Sequence, residues 1–373
     1  MEGMRVFRSM LRTSVAMQKS FQSSHTDGVL CAVSGYAWYA EEARSFLQER
    51  GWSITDDVRK QGVSVMLSPH KDVQWDMVLR GDAAACHYFA KNGLIRRVDL
   101  CMALEGKGTR RATMPLTITK RISGQCGEEV DQACALLAGG LPWRVSPSAA
   151  GGGWGSAVVC SKESDIKDML GVKGGGNWLL QQHVELKGEL EDLKGLEIRI
   201  PVIAAGSLHV YAHTKPLAYC ARPSPFTSMM DRNTTGGFDG VPLTKVAIFA
   251  GDDELASEWL SRAHVCISRA FEAAAGAGPK GGLLPMHNTF ELLCFTFLVG
   301  EIGGGGDAGG GPWLVKVETA MDAEDPFLGM HRGNLVKKVL QLALCHVTVP
   351  GAGQQANLSA GEEEFSLVYT YAP

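Results

Sequence analysis

Apolar positions recur along this chain with two periods, and the switches between them mark its elements. Val29–Val33 is an unbroken apolar run, as expected of a short buried strand. Tyr36–Arg50 has helical spacing, with Tyr39, Ala43, Phe46 and Leu47 on one face and Gly51 where a helix ends. Val63–Leu67 and Trp75–Leu79 are further apolar runs that predict strands. Strand, helix, strand in that order predicts an α/β unit with adjacent parallel strands.

The rest of the chain is richer in β-prone runs. Leu141–Pro147, Ala157–Cys160, Trp178–Glu185 and Glu197–Ile203 read as strands, and Leu208–Tyr211 with Leu217–Arg222 as a hairpin. Glu254–Ala275 has long helical periodicity through Leu255, Trp259, Leu260, Ala263 and Ile267, and Gly276–Gly282 follows as a flexible linker. Leu292–Val299 and Trp313–Val317 flank a loop that includes the almost pure glycine stretch Gly303–Gly311. That predicts a hairpin with an expanded turn, which costs little on a solvent-exposed loop. His331–His346 predicts an amphipathic helix, and Leu358–Tyr371 is polar before ending in a short β-prone run.

Composition narrows the class. The 373 residues are enough for two or three packed units. Apolar residues make up 45% and charged residues 20%, as in ordinary globular proteins. The net charge of −4 gives no reason to expect nucleic acid as a general partner. No apolar run is long enough for a membrane span. The ten cysteines contain no C-x-x-C spacing and sit mostly in apolar runs, so they read as buried reduced thiols.

Three features carry candidate chemistry. Lys316 and Glu318 are two apart on a predicted strand, so they point to one side, toward the partner strand that carries Thr296. An ammonium beside a carboxylate suits an ion pair; the plain alternative is two solvated charges. Ala149–Gly155 is glycine-rich and precedes a strand, which suits a loop whose backbone amides cover an anion or, equally, a flexible connection. It is neither a Walker A loop nor a dinucleotide fingerprint. His209 and His213 are four apart on one strand face; they read as a metal pair or, more ordinarily, as two histidines satisfied separately.

The order of these motifs resembles the tubulin–tyrosine ligase-like branch of the ATP-grasp enzymes. R-G-W-S-I at 50–54 and W-D-M-V-L-R-G at 75–81 are similar to the opening domain of that family. M-P-L-T-I-T-K-R-I at 114–122 resembles its entry segment. W-L-L-Q-Q-H-V-E at 178–185 resembles its adenine-holding hinge, E-I-R-I-P-V-I at 197–203 its F-D-I-R-x-W-V-L, and Y-C-A-R-P-S-P-F at 219–226 its Y-L-R-x-S-x-x-P-Y. Phe290–Glu318 resembles the last catalytic hairpin, F-E-L-x-G-x-D-F followed by P-W-L-x-E-V-N.

The resemblance implies an α/β (α+β) ATP-grasp fold with an N-terminal α/β domain. It implies an N-terminal segment over 1–27, that α/β domain over 28–120, a central subdomain over 121–190, a C-terminal subdomain over 191–350 and a tail over 351–373. It implies nucleotide-binding positions at Ser146, in place of the family's loop lysine, at Gly151, Gly152 and Gly153 of the loop, at Gln182 and Val184 beside the adenine, and at Arg199 and Arg222. It also implies a magnesium site at Thr296, Lys316 and Glu318, where the family has Asp, Glu and Asn. Magnesium on nucleotide phosphates needs hard oxygen ligands, and a lysine ammonium has donors only. A few ångströms from a divalent ion it costs on the order of several kcal/mol.

The expectation is therefore a catalytically inactive member of the family with no cofactor and no metal, which works as an accessory subunit or scaffold among protein partners. The alternatives are an active ligase that uses ATP and magnesium on tubulin or another protein tail, with Glu291, Glu301 or Glu318 binding the metal from shifted positions, and a pseudoenzyme that binds nucleotide without turnover. The N-terminus adds a location. Met4, Phe7, Leu11 and Val15 share one side of a helix, Arg5, Arg8 and Arg12 an adjacent side, and serines follow with a single acid before Asp27. That resembles a mitochondrial transit segment, although an ordinary N-terminal helix has the same pattern. Cytoplasmic or ciliary residence goes with the ligase reading.

Overall fold

The computed structural model describes residues 28–34, 39–114, 117–122, 135, 143–147, 158–162, 164–165, 168, 176–182, 196–215, 217–220, 241–242, 253–278, 282–299, 311–319, 332–350, 352 and 364–371. Among these, four short strands form a parallel sheet: β1 (Leu30–Val33), β2 (Ser53–Thr55), β3 (Val63–Leu67) and β4 (Ala84–Ala85), in the order β2-β1-β3-β4. Helix α1 (Ala40–Gln48) follows β1 and buries Ala40, Ala43, Phe46 and Leu47, the face expected from the spacing.

Trp75–Leu79 is not a strand. It belongs to a helix, α2 (Trp75–Arg80), on which only Val78 is buried. A strand in this sheet would need a longer apolar face. Asp76 and Arg80 instead pair one turn apart at 3.5 Å. Gly81, at φ +83°, adopts the left-handed conformation that closes a helix. Two further helices, α3 (Asn92–Ile95) and α4 (Arg97–Gly106), lead away from this unit.

A second sheet is antiparallel. It contains β5 (Thr117–Ile122), β6 (Trp143–Pro147), β7 (Val158–Cys160) and β8 (Gly176–Gln182), in the order β5-β8-β6-β7.

The third and largest sheet is built around β9 (Leu196–Ala205). It also contains β10 (His209–His213), β11 (Leu217–Cys220), β12 (Val241–Pro242), β13 (Phe290–Val299), β14 (Pro312–Thr319) and β15 (Phe365–Thr370). Strand β13 pairs along nearly the whole of one edge of β9. The other edge is shared, β11 taking residues 196–199 and β10 residues 202–205. The two are therefore not the hairpin expected from the sequence; each pairs with a different half of β9. Ile200 and Pro201 fall between the two stretches, so Pro201, which has no N–H to give, sits where that edge has no ladder to complete. The β13–β14 hairpin forms as the apolar runs required, with one irregularity after Thr296.

The two faces of the large sheet are covered differently. Ile198, Ile200, Val202, Leu293, Phe295 and Phe297 meet the long helix α5 (Asp253–Gly276) through Trp259, Ala263, Ile267 and Phe271. On the opposite face Ile203, Phe290, Leu292 and Cys294 pack with helix α6 (Arg332–His346), with α1 and with the parallel sheet. Cys31, Cys86, Cys101, Cys160, Cys266 and Cys294 are buried, whereas Cys345, on α6, is exposed. No helix among the described residues is long and apolar enough to cross a membrane.

Candidate functional site

Strand alternation places the candidate residues. On β9, Arg199 lies on the face opposite Ile198 and Ile200, and on β13 Thr296 lies opposite Phe295 and Phe297. Register aligns them: Arg199 is across from Thr296 on β13, and Thr296 is across from Lys316 on β14. Three adjacent strands, about 4.8 Å apart, thus carry Arg199, Thr296 and Lys316 in one row. Glu318 is across from Cys294, two positions along the same face. This polar end adjoins the end covered by α6.

The chemistry of the row is that of a closed ion pair. Lys316 Nζ bonds Glu318 Oε1 in a part-buried setting, with side-chain exposures of 21% and 34%. Thr296 is 1% exposed and its Oγ1 has no hydrogen-bond partner among the described residues. These residues do not fit a magnesium ion: one position offers an ammonium, one a neutral hydroxyl, and the remaining carboxylate is already bound by the ammonium.

Of the other nucleotide-binding positions of the sequence, Ser146 and Gln182 are described, on adjacent strands of the second sheet. Ser146 lies on β6 across from Leu179 of β8, and Gln182 ends β8 across from Trp143. Gly151, Gly152, Gly153, Val184, Arg222 and Glu301 lie outside the described residues. Glu291 is not available as a shifted metal ligand. It stands at an odd position of β13, on the face opposite Thr296, and is fully buried in a different cluster. His209 and His213 are no metal pair either. His209 stacks on His346 with ring centroids 4.2 Å apart, while the His213 ring meets Phe365 edge-on and its Nδ1 accepts the Lys215 N–H.

The Glu291 cluster was missed by sequence reasoning. Glu291 Oε1 accepts hydrogen bonds from His87 Nδ1 at 2.9 Å and from Lys91 Nζ, and Oε2 accepts the Tyr88 N–H at 3.3 Å. His87 Nε2 donates to the Ser68 carbonyl at 3.0 Å. Nδ1 also lies 3.3 Å from the Lys91 ammonium; a doubly protonated ring donates to both the Glu291 carboxylate and the Ser68 carbonyl. Burial alone would lower the His87 pKa, but the adjacent Cys86 sulfur and the Glu291 carboxylate outweigh it and push it up to about 10. Burial would likewise raise Glu291, but Lys91 and His87 hold it below the usual range. The apolar setting of Glu291 in F-E-L was the only signal in the sequence, and nothing there named its partners.

No protein family model matches the chain, and no curated protein matches it in sequence. The fold is matched. The C-terminal domain from K. lactis Pby1, an ATP-grasp enzyme interacting with the mRNA decapping enzyme Dcp2, aligns with a TM-score of 0.64. The alignment covers 93% of this chain and 100% of that one at 13% identity. The chain has a mixed α/β, ATP-grasp-like fold. At that identity the likeness extends to the fold and no further.

Proposed function

We propose that this chain is a non-catalytic, tubulin-ligase-like member of the ATP-grasp group that serves as a protein-binding accessory subunit, with a mitochondrial assembly as its destination. One observation supports the reading: Lys316 and Glu318, which the sequence resemblance aligns with magnesium-binding positions, form an ion pair with each other. Transfer of a phosphoryl group requires its charge to be neutralised by metal or fixed donors, and here the cation is already committed to a carboxylate of its own chain. Protein binding is compatible with the fold, since Pby1 interacts with Dcp2. The destination rests on the Arg- and Ser-rich, acid-poor N-terminus.

Calorimetry with ATP, with and without magnesium, together with a phosphate-release assay, tests the reading. The expected result is neither magnesium-dependent ATP binding nor turnover. A triple variant Thr296→Asp, Lys316→Glu, Glu318→Asn, which restores the family's letters, is expected to gain magnesium affinity. Magnesium-dependent turnover by the wild-type chain overturns the proposal. Tight ATP binding without magnesium that an Arg199→Gln variant loses replaces the scaffold with a nucleotide-binding pseudoenzyme.

A further inference from the structure

The parallel sheet contains a feature that the proposed function leaves unused. In the order β2-β1-β3-β4, the chain leaves β1 toward β2 on one side, while β3 lies on the other. The β1–β2 and β3–β4 connections therefore lie to opposite sides of the β1–β3 pair, and the carboxyl ends of two such strands are the usual place for a ligand in an open parallel sheet. A groove of about 820 Å3 is found there, within the range of roughly 300–1,000 Å3 common for small-molecule sites. Its lining includes Ser34 directly after β1, Arg59 between β2 and β3, Lys71 and Asp72 in the 3-10 turn after β3, and Gln74 and Trp75 where α2 begins.

The charges of this groove are uncommitted. Arg59 and Lys71 are exposed, and neither has a carboxylate partner among the described residues. Nearby cations differ: Arg44 is tied to Asp56, and Arg80 to Asp82 and Asp76. Two free cations facing one groove attract a compact anion of more than one charge. Asp76, also in the lining, is engaged by Arg80 at 3.5 Å. Asp72 remains as an acceptor, suited to hydroxyl groups. Trp75 supplies an aromatic wall that is held in place: its Nε1 donates to the His70 carbonyl at 3.2 Å, and its ring lies 4.9 Å from that of His70 and 5.2 Å from that of Phe89. A fixed indole gives an apolar body something to rest against without ordering the side chain first.

We infer that this groove binds a phosphate monoester of a sugar or nucleoside. Arg59 and Lys71 take the phosphate, Asp72 and Gln74 the hydroxyl groups, and Trp75 packs on the body of the ligand. All of these residues lie in the parallel-sheet unit, so the site does not depend on the polar row of the large sheet.

The test is calorimetry of the full chain at low salt with AMP, ribose 5-phosphate and inorganic phosphate. At least one monoester is expected to bind more tightly than inorganic phosphate. AMP ahead of ribose 5-phosphate assigns a nucleoside body, and the reverse order a sugar. The double variant Arg59→Gln, Lys71→Gln is expected to weaken binding by about tenfold or more, and Lys316→Gln to leave it unchanged. Both changes are at surface-accessible side chains, and an unaltered circular dichroism spectrum confirms the fold. Absence of monoester binding, binding no tighter than that of inorganic phosphate, or equal binding by the double variant overturns the inference. None of these outcomes bears on the Lys316–Glu318 reading, which the magnesium experiment addresses separately.

Discussion

His87 has two acceptors around one ring, and its proton inventory controls a buried charge cluster. The folded state binds the second proton far more tightly than an unfolded histidine does, with the pKa raised from 6.5 to about 10. The stabilisation is therefore fully present below about 6.5 and is lost as pH rises toward 10. Glu291 has the opposite sign. Its pKa is lowered from 4.5, so its contribution is present above that value and lost in acid. The urea midpoint of the wild-type chain is expected to fall between about pH 6.5 and 10, and His87→Gln to flatten that fall. A variant with the same pH slope as wild type refutes the charged imidazole. Glu291→Gln leaves Lys91 and His87 buried without their counter-charge and is expected to cost about 3–5 kcal/mol. None of this was legible in the sequence, because His87 and Glu291 are 204 residues apart and periodicity does not pair distant positions. The Lys316–Glu318 pair was legible, because residues two apart on a strand share a face.

Among elements, the turn between β9 and β10 does the most with the fewest residues. Gly206 has φ +57° and Leu208 φ +72°, so the chain reverses through the left-handed region twice. Gly206 N–H donates to the Thr289 carbonyl at 2.8 Å, and its own carbonyl accepts the Tyr88 hydroxyl at 3.0 Å. A Cβ at Gly206 would stand 2.3 Å from the His346 carbonyl oxygen at the end of α6. That contact is with backbone, so it cannot be relieved by a side-chain rotation. Gly206→Ala is expected to cost about 3 kcal/mol in urea denaturation, whereas Ser207→Ala, at the exposed centre of the turn, is expected to stay within about 0.5 kcal/mol. Equal stability of the two variants contradicts the close approach of α6. The helices α1, α5 and α6 were legible from apolar spacing, as were the β13 and β14 strands. The α2 helix was not: W-D-M-V-L is a β-prone run, and its helical state is set by the Gly81 cap and by the burial of a single residue.

The whole molecule is organised by a core that crosses the boundary between its sheets. Cys31, Val33, Leu67 and Cys86 of the parallel unit pack in one cluster with Ile203 of β9, Phe290 and Leu292 of β13, Leu340 and Leu342 of α6, and Phe365 of β15. The cluster of His87 and Lys91 with Glu291 spans the same boundary. Apolar spacing tells which face of an element is buried but not what it is buried against, so this sharing was out of reach of the sequence. Its consequence is cooperativity. Among the described residues, one face of the parallel sheet packs with the large sheet, with α1, and with α6 and the residues just after it, so opening that boundary exposes both. Slowly exchanging amides of β3 and β13 are expected to share one opening free energy in native-state hydrogen exchange. Leu342→Ala, at a fully buried position of α6, is expected to lower both by the same amount, about 2–5 kcal/mol. If β3 instead opens in a separate step of lower free energy, and Leu342→Ala moves only β13, the parallel unit folds as an independent domain. The shared core is then contact without coupling.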